Sequence, residues 1–369
     1  MVPGMEVSGL GRLRSPASRS MPADTRRADA WAVGSLGGMP APVVAEIVRS
    51  GFVEGHHYGS VVALGADGSV AWSVGDVESQ ILPRSCNKPV QAVGMLRAGL
   101  GLDGDLLALA AASHSGEDFH LDGVRRILAA AGLEESALQT PPDYPLDDEA
   151  REQTIRAGGT RSSLAMNCSG KHAAMLATCV ANGWDTATYL SPDHPLQVAI
   201  KGTFAELTGE AVGTVAVDGC GAPLLSASLT GLARAFRTIA TAADGPEKQV
   251  ADAVRAYPEF ASGSRRDEAA LLRAVPGAVG KAGAESCYAV ALADGRAVAL
   301  KTDDGAARVR PVLMAAALER LGVTDEHWVD ADAVRRTGTL ELFGGGRPVG
   351  AIRALIRGEP ALGSVGRPW

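Results

Sequence analysis

Two strand-rich hairpins lie near opposite ends of this chain, and they constrain its fold more than any other feature. Residues 58–74 contain two β-rich runs on either side of Asp67-Gly68, and residues 287–302 contain two more on either side of Asp294-Gly295. An Asp-Gly pair between apolar runs is typical of a tight turn between antiparallel strands. The sequence therefore predicts antiparallel pairing at both ends of the chain.

Between the two hairpins the apolar residues recur mainly at helical spacing. A short strand at 215–218 interrupts this region, and residues 141–159 are predicted to form a polar loop. Helices are expected at 106–112, 123–131, 166–180, 194–207, 224–241, 247–256 and, after the second hairpin, 307–321. Flanking strands are expected at 43–48 and 349–353.

This order of elements predicts an α+β fold. One antiparallel sheet is built from both ends of the chain and packs against a helical subdomain of about residues 120–270. Residues 1–40 mix Arg, Ser, Pro, Gly and Ala without periodicity, so they are predicted to be a disordered extension. Residues 41–369 are predicted to form a single domain.

Charge and cysteine content exclude some classes of function. A formal net charge of −7 argues against nucleic acid as a partner, and no apolar run is long enough to span a bilayer. Five cysteines, an odd number in a long chain, fit reduced thiols better than a disulfide framework. We therefore expect a cytoplasmic protein. Lysine is rare here, with six lysines among 35 basic residues, so each lysine is informative.

The first candidate catalytic motif is Ser85-x-x-Lys88, followed by Pro89. Proline suits the first turn of a helix, and residues three apart share one helix face, so the hydroxyl and the amine are expected to lie together. Lysine can act as the base for a serine nucleophile only as the neutral amine. Alone the motif is weak, because an exposed cap serine beside a solvated lysine has the same pattern.

Two later motifs strengthen this interpretation. Ser113-His-Ser115 and Lys281-Ala-Gly283 follow Ser-x-x-Lys in the chain. The order resembles the three motifs of penicillin-recognising serine hydrolases and related glutaminases, in which Ser-x-x-Lys, Ser-x-Asn and Lys-Thr-Gly line one cleft. However, Ser113 follows Ser85 much more closely than in the penicillin-recognising enzymes, which argues against a β-lactam substrate.

A second group contains Cys168, Lys171, His172 and Cys220. Two thiolates and a deprotonated lysine could converge on zinc, and histidine is a more usual ligand. Two buried, inert cysteines are the alternative, which residue type alone favours.

Several motifs together resemble the rhizobial-type L-asparaginases, also called class 3. They are Val48–Glu54, Gly59–Val62, Pro83–Ser85 with Lys88-Pro89, Ala112–Glu117, Asn167–His172, Asp218–Gly221 and Gly280–Glu285. The resemblance covers residues of about 42 to 323. It implies a fold similar to serine β-lactamases and glutaminases, a homodimer, and hydrolysis of L-asparagine to L-aspartate and ammonia.

The resemblance also implies roles for individual residues. Ser85 with Lys88 would form one Ser–Lys pair, with Ser85 as the acylated nucleophile, and Ser113 with Lys281 would form the other. Ser115 remains an alternative to Ser113. Zinc would be held by Cys168, Lys171 and Cys220 and would tune substrate affinity without acting in hydrolysis. Arg84, His172 and Asp218 match residues of the surrounding hydrogen-bonding shell. Independently of the resemblance, Glu285 could hold a substrate ammonium group, with a solvated strand residue as the alternative.

Two other functions stay open at this point. One is a serine hydrolase of the same fold with another amide or a β-lactam as its substrate. The other is a catalytically silent protein that binds a metal or an amino acid.

Overall fold

The computed structural model describes Met1 and residues 41–356. The predicted disordered extension, apart from Met1, and the tail at 357–369 lie outside the described residues. In the described part of the chain, no helix is both long enough and apolar enough to cross a membrane.

The strands form one large antiparallel sheet and one small one. The large sheet has the order β6–β7–β8–β2–β1–β10–β9, and β3 pairs with β2 in addition. The separate pair is β4 with β5. The strands are β1 (Val43–Arg49), β2 (Phe52–Leu64), β3 (Val70–Val74), β4 (Val215–Val217), β5 (Pro223–Leu225), β6 (Val279–Ala282), β7 (Cys287–Ala291), β8 (Ala297–Thr302), β9 (Glu341–Gly344) and β10 (Arg347–Ala354).

Strand β2 joins the two ends of the chain. Its first half pairs with β1, and its second half pairs with β3 and with β8 from the second hairpin. Gly59 permits this closure, because a Cβ there would lie 2.4 Å from the carbonyl oxygen of Lys301. The predicted sheet built from both ends of the chain is confirmed.

The helices lie mainly between β3 and β6. They are α1 (Lys88–Arg97), α2 (Gly104–Ala110), α3 (Asp118–Ala130), α4 (Asp148–Arg156), α5 (Ser169–Asn182), α6 (Pro195–Thr208), α7 (Leu229–Thr241), α8 (Gly245–Ala256), α9 (Pro258–Ala261), α10 (Asp267–Ala274), α11 (Arg310–Arg320) and α12 (Ala331–Thr337). Helix α7 packs on β2, β7 and β8, whereas α11 packs on β7, β8 and β10. All residues of β7 are buried, so both faces of the sheet are covered there.

Two local predictions are wrong. The predicted polar loop at 141–159 contains α4, which begins after Asp147, whose side chain accepts a hydrogen bond from the Ala150 N–H. Helix α4 buries no side chain, so it has no apolar stripe for a periodicity argument to detect. The predicted helix at 224–241 begins only at Leu229, because residues 224 and 225 belong to β5 and Ser228 caps the helix by accepting a hydrogen bond from the Gly231 N–H.

Candidate active site

Ser85 lies in a tight turn at the start of a buried helix. Residues Arg84–Asn87 form one turn of 3₁₀ helix that leads directly into α1, with Pro89 in the first turn of α1. Arg84 has a φ of +52°, a left-handed conformation that costs free energy for a side chain other than glycine. The side chain of Ser85 is half-buried, and we refer to the region around it, with Arg84, Lys88, Ser113 and Lys281, as the cleft.

Lys88, one helical turn after Ser85, is only 1% exposed. Its Nζ donates hydrogen bonds to the carbonyl oxygen of Ala112 at 2.6 Å and to Ser113 Oγ at 2.8 Å. Cys168 Sγ lies at 3.1 Å from the same nitrogen. Among the described residues Lys88 hydrogen-bonds to Ser113 and not to Ser85, and the Ser85–Lys88 pair stays a prediction.

Lys281 lies on β6 and is also 1% exposed. Its Nζ donates to Glu268 Oε1 at 2.7 Å and to the carbonyl oxygen of Ala282 at 2.6 Å. Lys281 thus forms an ion pair with Glu268 and, among the described residues, no hydrogen bond to Ser113; the Ser113–Lys281 pair implied by the resemblance stays a prediction. Burial lowers the pKa of Lys281, and the negative charge of Glu268 opposes that effect.

The end of β6 packs directly against the turn that carries Ser85. A Cβ on Gly283 would lie 2.7 Å from the carbonyl oxygen of Pro83 and 3.2 Å from the backbone nitrogen of Ser85. The thiol of Cys86 donates to the carbonyl oxygen of Lys281 at 2.9 Å. A side chain at position 283 would separate these segments, which explains why the motif needs glycine there.

Arg84 joins two of the predicted supporting residues at the mouth of the cleft. Its Nε donates to Asp218 Oδ1 at 2.8 Å, and its Nη1 lies 3.4 Å from Glu285 Oε1. The Glu285 carboxylate is 59% exposed, so it is open to solvent beside the turn of Ser85. The structure thus brings Arg84, Asp218 and Glu285 together.

The two candidate second serines have different surroundings. Ser113 contacts Lys88, whereas Ser115 Oγ donates to the carbonyl oxygen of Ser262 at 3.3 Å. Ser115 also lies against Gly263, where an added Cβ would overlap its hydroxyl. Ser113 is thus the serine that faces the buried lysine, and Ser115 has a packing contact.

The thiols of Cys168 and Cys220 meet beside Lys171. Lys171 Nζ lies 3.2 Å from Cys220 Sγ, and both thiols pack with Met166 and Ala222 in one small buried cluster. A hydrogen bond from Cys168 and the positive charge of Lys171 hold the pKa of Cys220 well below its usual range. The same hydrogen bond, together with burial, raises the pKa of Cys168.

His172 lies on the next position of α5, fully buried. Its Nδ1 shares a hydrogen bond with the Tyr189 hydroxyl at 2.6 Å, and burial lowers its pKa to about 4. His172 Nε2 makes no hydrogen bond with a described residue. His172 is therefore neutral near pH 7.

Sequence reasoning missed Glu268 and Arg266. Glu268 is 1% exposed, and Arg266 Nη2 donates to its Oε2 at 2.6 Å. In sequence, Arg266-Asp267-Glu268 has the composition of a solvated helix start, so nothing local reveals its burial. The available signal was indirect: a buried Lys281 needs a buried acidic partner.

These groups come from distant parts of the chain. The sequence model of a family described as L-asparaginase II matches residues 45–354, which include all of them. The chain belongs to the L-asparaginase II family. It is therefore an amidohydrolase with a small-molecule amide as the substrate class. No curated protein matches the chain.

Several solved structures resemble this L-asparaginase family member at a low level. A β-lactamase from Mycobacterium bovis has 15% identity and a TM-score of 0.42, covering 76% of this chain and 96% of its own. A putative β-lactamase from Bacteroides dorei has 15% identity and a TM-score of 0.39, covering 72% of this chain and 93% of its own. The protein Mglu in its native form has 14% identity and a TM-score of 0.39, covering 74% of this chain and 66% of its own. We draw no conclusion about substrate from resemblances at this level.

Proposed function

We propose that this amidohydrolase converts L-asparagine to L-aspartate and ammonia through an ester on a serine. One observation carries the proposal: Lys88 follows Ser85 by one helical turn and donates a hydrogen bond to Ser113 Oγ at 2.8 Å. A buried amine thus contacts one serine hydroxyl and lies one helical turn after a second serine, an arrangement that suits acyl transfer with a protonated leaving group. Membership of the L-asparaginase II family supports the choice of substrate.

In this proposal Ser85 is the nucleophile, because it is half-buried at the cleft edge whereas Ser113 is 7% exposed. Ser85 Oγ attacks the amide carbon while its proton passes to the Lys88 amine. The carbon–nitrogen bond then breaks, and Ser113 passes that proton on to the departing ammonia. Water hydrolyses the ester, which releases L-aspartate and restores the Ser85 hydroxyl.

The residues at the mouth of the cleft have charges that suit an α-amino acid. The guanidinium of Arg84 can pair with the substrate carboxylate, and the exposed carboxylate of Glu285 can pair with its ammonium group. Asp218 fixes the guanidinium through the 2.8 Å bond from Arg84 Nε. We infer that these groups select a short amino-acid amide over a neutral amide.

We also propose that zinc binds at Cys168, Lys171 and Cys220. Two thiols and an amine lie together, and the lowered pKa of Cys220 supplies one thiolate beside Lys171. Zinc would have to displace a proton from Cys168 and from Lys171, because the pKa of each is raised in this cluster. Among the described residues no group of three or more His, Cys, Asp or Glu side chains is arranged for a metal, so Lys171 would have to be the third protein ligand. When bound, zinc would supply a local positive charge that tunes substrate affinity.

Zinc content is measured by atomic absorption in the intact protein and in Cys168→Ser. We expect bound zinc to be lost in the variant. Full metal content in Cys168→Ser would contradict the proposed ligand set.

We further propose a cytoplasmic homodimer. The five cysteines of the chain are all free and buried, which fits a reducing compartment. The homodimer rests on the family resemblance, and light scattering on the purified protein tests it.

The substrate assignment is tested by ammonia release from L-asparagine, with L-glutamine and the β-lactam nitrocefin as competing substrates. We expect turnover of L-asparagine, and a loss on the order of 10³-fold or more in Ser85→Ala. The matched control is Ser191→Ala, which changes an exposed serine. Unchanged turnover in Ser85→Ala would remove the nucleophile assignment, and preferred turnover of nitrocefin would favour another serine hydrolase.

A catalytically silent binding protein is the second candidate. The buried Lys88–Ser113 contact argues against it, because a binding protein has no need to bury an amine beside a serine hydroxyl. Absence of turnover on all three substrates, with L-asparagine still bound in calorimetry, would favour it.

A further inference from the structure

A buried cluster of charges surrounds Lys281 behind the turn of Ser85. Glu268 lies at its centre: Oε1 accepts from Lys281 Nζ at 2.7 Å and from the Ala282 N–H at 2.7 Å, and Oε2 accepts from Arg266 at 2.6 Å and from Ser262 Oγ at 3.2 Å. Each carboxylate oxygen thus has two donors. A carboxylate so fully satisfied is held rigidly in its ionised form.

The charges around this carboxylate keep it negative. Burial alone would raise the pKa of Glu268, but the positive charges of Lys281, Arg266 and Arg310 outweigh it and hold that pKa well below its usual range. Arg310 also donates to the carbonyl oxygen of Gly283 at 3.0 Å. A permanent negative charge therefore lies in contact with the Lys281 amine.

Both hydrogen-bond partners of Lys281 can only accept. The Ala282 carbonyl and the ionised Glu268 oxygen each take one N–H, and an ammonium group has three. In the ammonium form one N–H is therefore left without an acceptor among the described residues. Other titratable or charged groups that face Lys281 or its carboxylate partner are Lys88, Arg266, Arg310, Asp267, Tyr288 and Cys86.

We propose that Glu268 is a positioning residue that fixes Lys281 as an ammonium ion, so that Lys281 serves the reaction as a charged donor and not as a proton acceptor. The catalytic part of this inference rests on the proposed function. It assigns the two buried lysines different tasks. Lys281 supplies a fixed positive charge beside the Ser85 turn, held there by a carboxylate that never touches substrate.

The protonation state of Lys281 can be measured without any substrate. The chain has six lysines, so a protein labelled with [¹⁵N]lysine gives at most six side-chain signals. The Lys281 ammonium signal is assigned by its loss in Lys281→Arg. We expect it to be present at about pH 7 and to disappear at high pH. Absence of this signal at about pH 7 would overturn the inference.

Two variants should move the ionisation of Lys281 in opposite directions. Glu268→Gln removes the negative partner and should lower the pKa of Lys281 by about 1 to 3 units. Arg266→Gln removes a competing positive charge and should raise it, since Arg266 acts to lower the pKa of Lys281. Arg266 is 20% exposed, so this variant keeps the test usable if Glu268→Gln does not fold.

The pH profile of kcat/KM gives the matching readout in activity. If Lys281 works as an ammonium ion, activity falls as pH rises through its pKa. The basic limb should then move to lower pH in Glu268→Gln and to higher pH in Arg266→Gln. Glu259→Gln, which alters a carboxylate paired with Arg273 at 3.1 Å on the surface, should leave the profile unchanged.

A shift of the acidic limb, or no shift in either variant, would show that Lys281 is a proton acceptor or a purely structural residue. Failure of the proposed function is distinguishable. If the wild-type protein shows the expected Lys281 signal but no turnover of L-asparagine, the substrate assignment fails and the protonation state of Lys281 stands.

Discussion

Lys88 and Lys281 are equally buried lysines of one cleft, yet their partners differ in charge. Lys88 contacts a carbonyl oxygen, a hydroxyl and a thiol, whereas Lys281 contacts a carbonyl oxygen and a carboxylate. The carboxylate favours the ammonium form of its partner, while a neutral hydroxyl can exchange a proton with an amine. Residue type therefore does not decide which lysine can act as a base. The charge of the group that accepts the hydrogen bond from the lysine decides it.

The difference also has a positional origin. Lys88 is on a helix that follows Ser85, so it shares the helix face of the proposed nucleophile. Lys281 is on a strand, and α10 places Glu268 beneath it. Helix α1 places the Lys88 amine near the proposed nucleophile, whereas α10 places the Glu268 carboxylate beside the Lys281 amine.

The largest expected effect comes from removing the base. Lys88→Met should lower kcat by about 10³ to 10⁴-fold, because no other amine of the described residues hydrogen-bonds to Ser113. Lys88→Arg should be equally inactive, since a guanidinium cannot accept a proton near pH 7. Steady-state ammonia release measures both. Substantial activity in Lys88→Arg would end the distinction between the two lysines.

The second effect is on stability. Glu268→Gln leaves Lys281 and Arg266 without their shared carboxylate, and breaking a buried ion pair in this way costs about 3 to 5 kcal/mol. Urea unfolding at about pH 7 measures the change. The double variant Glu268→Met/Lys281→Met should recover part of the loss, because no unpaired charge remains between those two positions.

This stability effect has a definite pH dependence. The folded-state pKa of Glu268 lies below its unfolded value, so its contribution is fully present above the unfolded pKa of about 4.3 and is lost as pH falls below it. The difference between wild type and Glu268→Gln should therefore shrink at acidic pH. A constant difference down to about pH 3 would contradict the ionised state of Glu268.

A smaller effect separates the two serines. Ser113→Ala should lower kcat by about 10²-fold, because it interrupts the proton path from Lys88. Ser115→Ala is the matched control, since its hydroxyl bonds only to a backbone oxygen among the described residues. We expect its kcat to change by less than about threefold. Equal losses of kcat in both variants would leave undecided which of the two serines takes part in catalysis.

The smallest effect is expected in Lys281→Arg. A guanidinium keeps the positive charge and can still donate to Glu268, so activity should fall by about tenfold or less. Lys281→Met, which lacks the charge, should lose much more. A loss in Lys281→Arg as large as in Lys88→Arg would mean that both lysines act as bases.

The sequence allowed prediction of the features that depend on local pattern. Turn signals at Asp67-Gly68 and Asp294-Gly295 predicted both hairpins. The motifs predicted that Ser85, Lys88 and Ser113 lie in one cleft, and Lys88 does contact Ser113. The family predicted from these motifs is confirmed. Local pattern is sufficient there because turns and helix faces depend on residues close in sequence.

Pairing across the cleft could not be predicted in this way. The spacing of Ser85 and Lys88 suggested a hydrogen bond, but the buried amine turns to Ser113 on a different segment. The role of Glu268 could not be predicted, because Glu268 is on α10 and its partner Lys281 is on β6. Burial of a carboxylate depends on tertiary packing. Helix α4 was missed for the opposite reason, since it buries nothing.

The contact of Gly283 with the Ser85 turn has a consequence for biosynthesis. Cys86 and Lys281, which meet at this contact, are 195 residues apart in the chain. At about 5 to 20 residues per second, the ribosome needs on the order of 10 s or more to supply the second partner after the first. The nascent amino-terminal half therefore waits with its serine turn incomplete and the edge of β2 unpaired. A chaperone that shields this strand edge during synthesis should therefore raise the yield of active enzyme. The increase should be larger than the thermodynamic stability of the folded enzyme would suggest.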